Sequence, residues 1–285
     1  MIRVSVITVN LNNVQGLRKT IQSVLGQTFI DKEFILIDGS STDGSLQVVE
    51  NFKSHINYWI SEPDTGIYNA MNKGIQQAKG EYCLFLNSGD WLSSPTILQE
   101  LLDTTPTADL VAGDVYFFDT TLNQIKWYVP SPDILTAKTL FLGTLPHQAT
   151  LIKKTLFDKV GLYNENLKIA SDWLFWIETL LEKDCSYQHY SGVVAYFNMD
   201  GISSSLTANS LPRLEKTMIL EQKYPRFVAD YKQLEQLENE SKQWLSSHEY
   251  VAYEALRKWG LIKIGVLGLR VINYFKRKLT FKSQA

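Results

Sequence analysis

Cysteine is nearly missing: Cys83 and Cys185 are the only two in 285 residues. Two thiols build neither a disulfide framework nor a cysteine metal cluster, and Cys83, inside the apolar run 82–86, reads as a small buried hydrophobe. No uninterrupted apolar run reaches the ~20 residues of a bilayer-spanning helix, which argues against a processive synthase that secretes its own polymer. An excess of positive charge is also lacking. The formal net charge is −2, and residues 255–285 hold eight Lys or Arg with no Asp or Glu, so residues 1–254 carry −10. An acidic body of this kind has no cationic surface for a polyphosphate backbone, so nucleic acid is not an expected partner. Internal repeats and low-complexity stretches are absent, and Met1-Ile2-Arg3-Val4 runs directly into a strand pattern with no signal peptide. The expected compartment is the cytoplasm.

What is present describes an ordinary globular chain, with 45% hydrophobic and 20% charged residues. The 7 Trp and 14 Tyr are numerous enough to supply flat faces for stacking, although aromatic rings more often fill cores. Apolar β-rich runs at 4–9, 34–37, 58–60 and 82–86 alternate with helical spacing at 17–25, 46–52 and 67–78. That order predicts βαβ units, a mostly parallel sheet and helices on both faces. Strands follow within 108–129 and at 187–197, a helix at 173–181 capped by Ser171-Asp172, and helical sequence from 211 onward.

Ligands of such sheets bind beyond the carboxyl ends of the strands. Three polar segments lie there: Asn10-Leu11-Asn12-Asn13, Asp38-Gly39-Ser40-Ser41-Thr42-Asp43-Gly44-Ser45, and Asn87-Ser88-Gly89-Asp90. Turn chemistry explains Asp43-Gly44, and it is the competing account of Asn87-Ser88-Gly89-Asp90. Asp38 closes an apolar strand, so its carboxylate faces the crevice, where it can accept hydrogen bonds from a base or a ribose. Asp90 is a candidate oxygen ligand for Mn2+ or Mg2+, ions that bind through one or two carboxylates plus substrate phosphates.

In this order and spacing the segments resemble the inverting glycosyltransferases of family two, which have the GT-A fold. The resemblance runs through Ser5-Val6-Ile7-Thr8-Val9-Asn10, residues 37–45, Asp64-Thr65-Gly66-Ile67-Tyr68-Asn69-Ala70-Met71-Asn72-Lys73-Gly74, Ala78-Lys79-Gly80-Glu81-Tyr82 and residues 84–90. A more divergent stretch from Pro146-His147-Gln148 to Asp172 extends it. It implies that Thr8 and Asn10 lie against the nucleoside, with Asn12 nearby, and that Asp38 holds the base. Asp90 stands at the last position of the family's acidic metal motif, and Asn87 and Ser88 line the donor beside it. Asn87 replaces the usual first Asp of that motif and Gly89 the acidic residue beside Asp90, which implies that metal binds mainly as the nucleotide complex. Met71 replaces a common Arg, leaving Asn72 or Lys73 to face the nucleotide. Asp172 matches the general base, and as a residue at a helix start it equally suits a cap. His147 is assigned to the acceptor or diphosphate site, against a purely structural role.

These readings define a GT-A-like domain over residues 1–205 and a C-terminal helical extension over 206–285. The expected reaction moves a sugar from a nucleotide-diphosphate sugar, a UDP-sugar being favoured, to a glycan or lipid-linked glycan in surface polysaccharide synthesis. A nucleotidyltransferase would need a Gly-rich phosphate loop with Arg and Lys after the first strand, where this chain has Asn10-Leu11-Asn12-Asn13. A non-catalytic sugar-binding module would not need Asp38, Asp90 and Asp172 together. In the basic tail, residues 259–275 are apolar over a wide arc, with Lys263, Arg270 and Arg277 seven residues apart. That pattern suits a helix lying on an anionic membrane at the inner face of the cell membrane. Packing on the catalytic domain, or on a second subunit in a homo-oligomer, is its other use.

Overall fold

The computed structural model describes residues 2–200 and 211–247, together with 250, 251 and 254. Its first strand, β1 (Val4–Asn10), has the sequence VSVITVN and is buried throughout. Successive side chains of a strand point to opposite faces. Val4 and Val6 therefore enter one apolar cluster, and Ile7 and Val9 the other. Beside β1 runs β2 (Lys32–Asp38), parallel and in register so that Asn10 lies opposite Asp38. On the far side of β2, β3 (Tyr58–Ser61) is parallel again and sets Ser61 opposite Asp38. β4 (Tyr82–Phe85) lies parallel to β1 on its other flank. Register alone thus lines up Asn10, Asp38 and Ser61 at one edge.

Three helices make the crossovers. They are α1 (Val14–Leu25), α2 (Ser45–Phe52) and α3 (Ile67–Gln77). α1 turns Leu17, Thr20, Ile21 and Val24 inward, and it begins where the Asn13 side chain accepts a hydrogen bond from the Gly16 amide. With α2 and α4 (Ile97–Asp103) it covers the sheet face of Val4 and Val6. α3 lies on the opposite face with α5 (Ala137–Leu142), α6 (Leu156–Val160) and α7 (Ser171–Lys183). It approaches so closely that a Cβ on Gly74 would sit 2.4 Å from Ile7 Cγ2.

The remaining strands are β5 (Trp91–Leu92), β6 (Leu110–Asp119), β7 (Gln124–Val129), β8 (Thr150–Lys153) and β9 (Tyr187–Asn198). The order is β3-β2-β1-β4-β8-β6-β9-β5, with β7 also paired to β6. The expected parallel arrangement holds for β1 to β4. Beyond them the sheet is mixed, because β8 runs antiparallel to both β4 and β6, β7 returns antiparallel from a short turn, and β9 is parallel to β6. β5, α4, α5 and α6 lie outside the expected set, since each is too short to show a period.

Contacts divide the chain into two compact units, Met1–Pro225 and Arg226–Ala285. The expected boundary at 205/206 falls among residues 201–210, outside the described set, and the helix that follows, α8 (Leu211–Lys223), belongs to the first unit. The described start of the second unit is carried by α9 (Pro225–Leu245). Among the described residues no helix is long and apolar enough to cross a membrane. Residues 255–285, and with them the expected membrane helix, lie outside the described residues.

Candidate active site

Asp38 is fully buried, and four hydrogen bonds converge on its carboxylate. Oδ1 accepts from Asn10 Nδ2 at 2.7 Å and Ser41 Oγ at 2.6 Å, and Oδ2 accepts from the Ser41 amide at 2.9 Å and Ser61 Oγ at 2.7 Å. Burial alone would raise its pKa, but the bonds from Ser41, Ser61 and Asn10 outweigh this and hold the carboxyl below its ordinary value. Both oxygens expected to meet the base are therefore engaged in tying three strand ends together. Asn10 Oδ1 is buried without a partner. Thr8 is buried as well and donates to the Leu86 carbonyl at 2.7 Å, so it braces β1 against the end of β4. Asn12, at φ 50°, accepts from the Thr42 amide at 2.8 Å and shapes the rim.

The turn after β4 is organised from α1. Asn13 Nδ2 donates to the Ser88 carbonyl, and Thr20 Oγ1 donates to the Asp90 carbonyl at 2.6 Å while accepting from the Gly89 amide at 3.0 Å. Gly89 has φ +108°, and a Cβ there would also come within 3.1 Å of Asn198 Nδ2. The backbone thus favours glycine at the position where the resemblance implies an acid. Asp90 is 5% exposed, one oxygen accepts the Asn198 amide at 2.8 Å, and burial pushes its pKa up to about 7.

His147 joins this turn to Asp172. Its Nδ1 lies 3.1 Å from Asp172 Oδ2, and its Nε2 lies 3.2 Å from Asn87 Nδ2. In the neutral ring with Nδ1 donating to Asp172, Nε2 accepts from Asn87 Nδ2, and Asn87 Oδ1 is left buried without a partner. Tyr68 donates to Asp172 Oδ1 at 2.9 Å. Burial by itself would raise the Asp172 pKa, yet the hydrogen bond and charge of His147, the Trp173 amide and Tyr68 together lower it. Burial would likewise lower His147, and Asp172 outweighs it and raises it. The carboxylate sits in the first turn of α7, where the helix dipole also favours negative charge. Ser171 does not cap that helix. Its Oγ instead accepts the Asn164 amide at 2.6 Å, and Ala170 holds the cap position with no side-chain bond.

Asn72 and Lys73 are not brought to this cluster. Asn72 is 3% exposed and grips the Tyr163 carbonyl, the Tyr163 amide and Glu165. Lys73 pairs with Glu62 at 2.7 Å, and Met71 is in the apolar core. The geometry therefore groups Asn87, Ser88, Asp90, His147 and Asp172, with Asn10 and Asp38 at the adjoining strand ends. It adds Thr20, Tyr68, Ser41, Ser61 and Asn198, which local sequence reading missed. Of these Tyr68 carried a signal as a member of the 64–74 segment, and Ser41 as a member of the polar segment 38–45.

A divalent cation fits this donor set. Asp90 offers one carboxylate whose ionised form an adjacent cation would favour, and Asn87 Oδ1 is an oxygen with no other partner. Among the described residues no group of three or more His, Cys, Asp and Glu could form an all-protein cage. Such a set suits an ion that fills its shell with phosphate oxygens and waters.

A mixed sheet of this order, with polar residues at its strand ends and the half-buried Asp172 carboxylate at a helix start, is the architecture of the GT-A fold. The chain belongs to glycosyl transferase family 2, whose sequence profile matches residues 5–161, and it is a glycosyltransferase. An uncharacterized glycosyltransferase of Mycobacterium tuberculosis is 31% identical over 206 residues, 70% of this chain and 77% of that protein. Among solved structures, S. aureus TarS 1–349 in complex with UDP-GlcNAc superposes with a TM-score of 0.56 at 19% identity, covering 73% of this chain and 60% of that one. The mannosyltransferase PcManGT from Pyrobaculum calidifontis, in complex with GDP-Man and Mn2+, has a TM-score of 0.54 at 13% identity over 93% of this chain and 86% of that one. At these identities the two structures establish the fold.

Proposed function

We propose that the protein transfers one sugar from a nucleotide-diphosphate donor to an acceptor hydroxyl by a single inverting displacement, with Asp172 as the base. The observation that carries this reading is the Asn87–His147–Asp172 chain, which holds a carboxylate of lowered pKa beside the turn bearing Asp90. Asp172 accepts the acceptor's proton as that oxygen attacks the anomeric carbon, and the bond to the diphosphate breaks on the opposite face. His147 and Tyr68 orient the carboxylate so that a lone pair meets the incoming hydroxyl. A bound Mn2+ or Mg2+, held by Asp90 and Asn87, supplies positive charge for the departing diphosphate. Asn10 Oδ1, an acceptor without a partner, supports recognition of a base that bears an N–H, and a UDP-sugar is the donor we favour. Glycan or lipid-linked glycan acceptors, and docking of residues 255–285 on an anionic membrane, complete the proposal. Vesicle co-sedimentation with and without those residues tests the last point, and equal pelleting refutes it.

Asp172→Asn is expected to lose about a hundred- to ten-thousandfold in transfer while calorimetry shows unchanged UDP affinity. NMR of the product should show the inverted anomer. A retained anomer, or a loss under tenfold, overturns the mechanism.

A further inference from the structure

We infer that Glu215, on α8, is a positioning residue that fixes the backbone leading into Asp172. The inference rests on Asp172 being the base. Glu215 lies 45 to 47 residues beyond the segment it holds. Its carboxylate, buried at 8% exposure, accepts three successive amides, those of Lys168 at 2.8 Å, Ile169 at 2.9 Å and Ala170 at 3.0 Å. Ala170 is the cap residue of α7, and Asp172 is two residues further on. A carboxylate that gathers three consecutive amides fixes their orientation as well as their position. Without it, three donors would be left unpaired at the start of the helix that carries the base.

The next residue grips the other side of the same helix start. Lys216 Nζ donates to the Gly143 carbonyl at 3.1 Å and stands 5.2 Å from the Trp173 ring centre, while Trp173 donates to the Leu140 carbonyl. Upstream, Asn72 clamps Tyr163, and the Asn164 amide bonds Ser171. Residues 163–171 are thus stapled by α3 at one end and by α8 at the other. This makes α8, which lies outside the matched segment 5–161, part of the apparatus that aims the base.

A displacement of about 1 Å at a reacting group costs up to a hundredfold in rate, whereas donor binding at the strand ends does not depend on α8. The test measures UDP release from UDP-glucose, UDP-galactose and UDP-GlcNAc with Mn2+, using the full chain and whichever donor turns over fastest. Glu215→Gln is expected to lower kcat about ten- to a hundredfold with KM for the donor within twofold, and Glu215→Asp to recover part of the loss. A merely structural role would move KM and thermal stability with kcat, so kcat within twofold of wild type, or parallel changes in kcat and KM, overturns the inference. Asp172→Asn runs alongside. If it keeps wild-type release, the base assignment itself fails; if it loses release while Glu215→Gln does not, the positioning role alone fails. Amide exchange of residues 168–170 in the wild-type enzyme needs no variant. Protection comparable to that of α7 supports the clamp, and exchange as fast as an open loop refutes it.

Discussion

Asp38 shows how one side chain can combine structural and functional demands. Its four accepted hydrogen bonds tie Asn10, Ser41 and Ser61 into one knot at the strand ends. Removing the carboxylate leaves several buried donors unsatisfied, each costing on the order of 1–3 kcal/mol. Asp38→Ala is therefore expected to lower stability by at least about 2 kcal/mol in urea unfolding, so any loss of nucleotide binding must be read against the folded fraction. Gly89 gives the opposite lesson. Restoring the family's acid with Gly89→Asp places a side chain at φ +108° against Asn198, with an expected cost of about 1–2 kcal/mol and no gain in metal affinity. Thermal unfolding and manganese titration measure the two effects. An improvement in both would show that the turn can relax.

At the scale of elements, the extension of the sheet past β4 is secured by a polar link centred on the buried Asp114. His189 on β9 lies 3.0 Å from Asp114 on β6 and 2.8 Å from Asp133 in the loop after β7, and Tyr128 on β7 donates to Asp114 at 2.6 Å. Burial would raise the Asp114 pKa, but the bonds from Tyr128, His189 and the Ser131 amide lower it. Burial would lower that of His189, but the bonds to Asp114 and Asp133 raise it. The sign follows from these directions. The histidine's contribution is complete below its unfolded value of about 6.5 and is lost as pH rises through its raised folded value. The aspartate's is complete above about 3.9 and is lost as pH falls through its lowered folded value. Melting temperature should therefore be highest between about pH 4 and 6.5 as far as this link is concerned, and His189→Gln should flatten the alkaline side. An unchanged alkaline slope would remove His189 as its origin.

For the whole molecule, donor and metal should act as linked ligands. A UDP-sugar at about a hundred times its Kd stabilises the native state by about 2.7 kcal/mol, which for a domain of this size raises Tm by roughly 5–10 °C. The shift should need Mn2+ or Mg2+, vanish in excess chelator, and be lost in Asp90→Asn, whose amide cannot replace a carboxylate ligand. A full shift in chelator would mean that the nucleotide binds without metal. Because Asp90 is buried and its pKa is pushed up to about 7, metal without nucleotide should produce a smaller shift.

Composition and local period determined that residues 4–86 form alternating strands and helices, because apolar spacing is a property of neighbouring residues. The polar strand ends at Asn10, Asp38 and Asn87 to Asp90 were legible for the same reason, since a turn-forming segment after an apolar strand marks the edge where ligands bind. Tertiary structure alone decided which groups meet. Tyr68 reaches Asp172 across 104 residues, His147 reaches both Asn87 and Asp172, and Glu215 holds amides some 46 residues before it. It also paired Asn72 with Tyr163 and Glu165, and Lys73 with Glu62, outside the His147–Asp172 cluster. Such partners are chosen by how helices pack across a sheet, and packing depends on the whole chain, so no local window of sequence contains it.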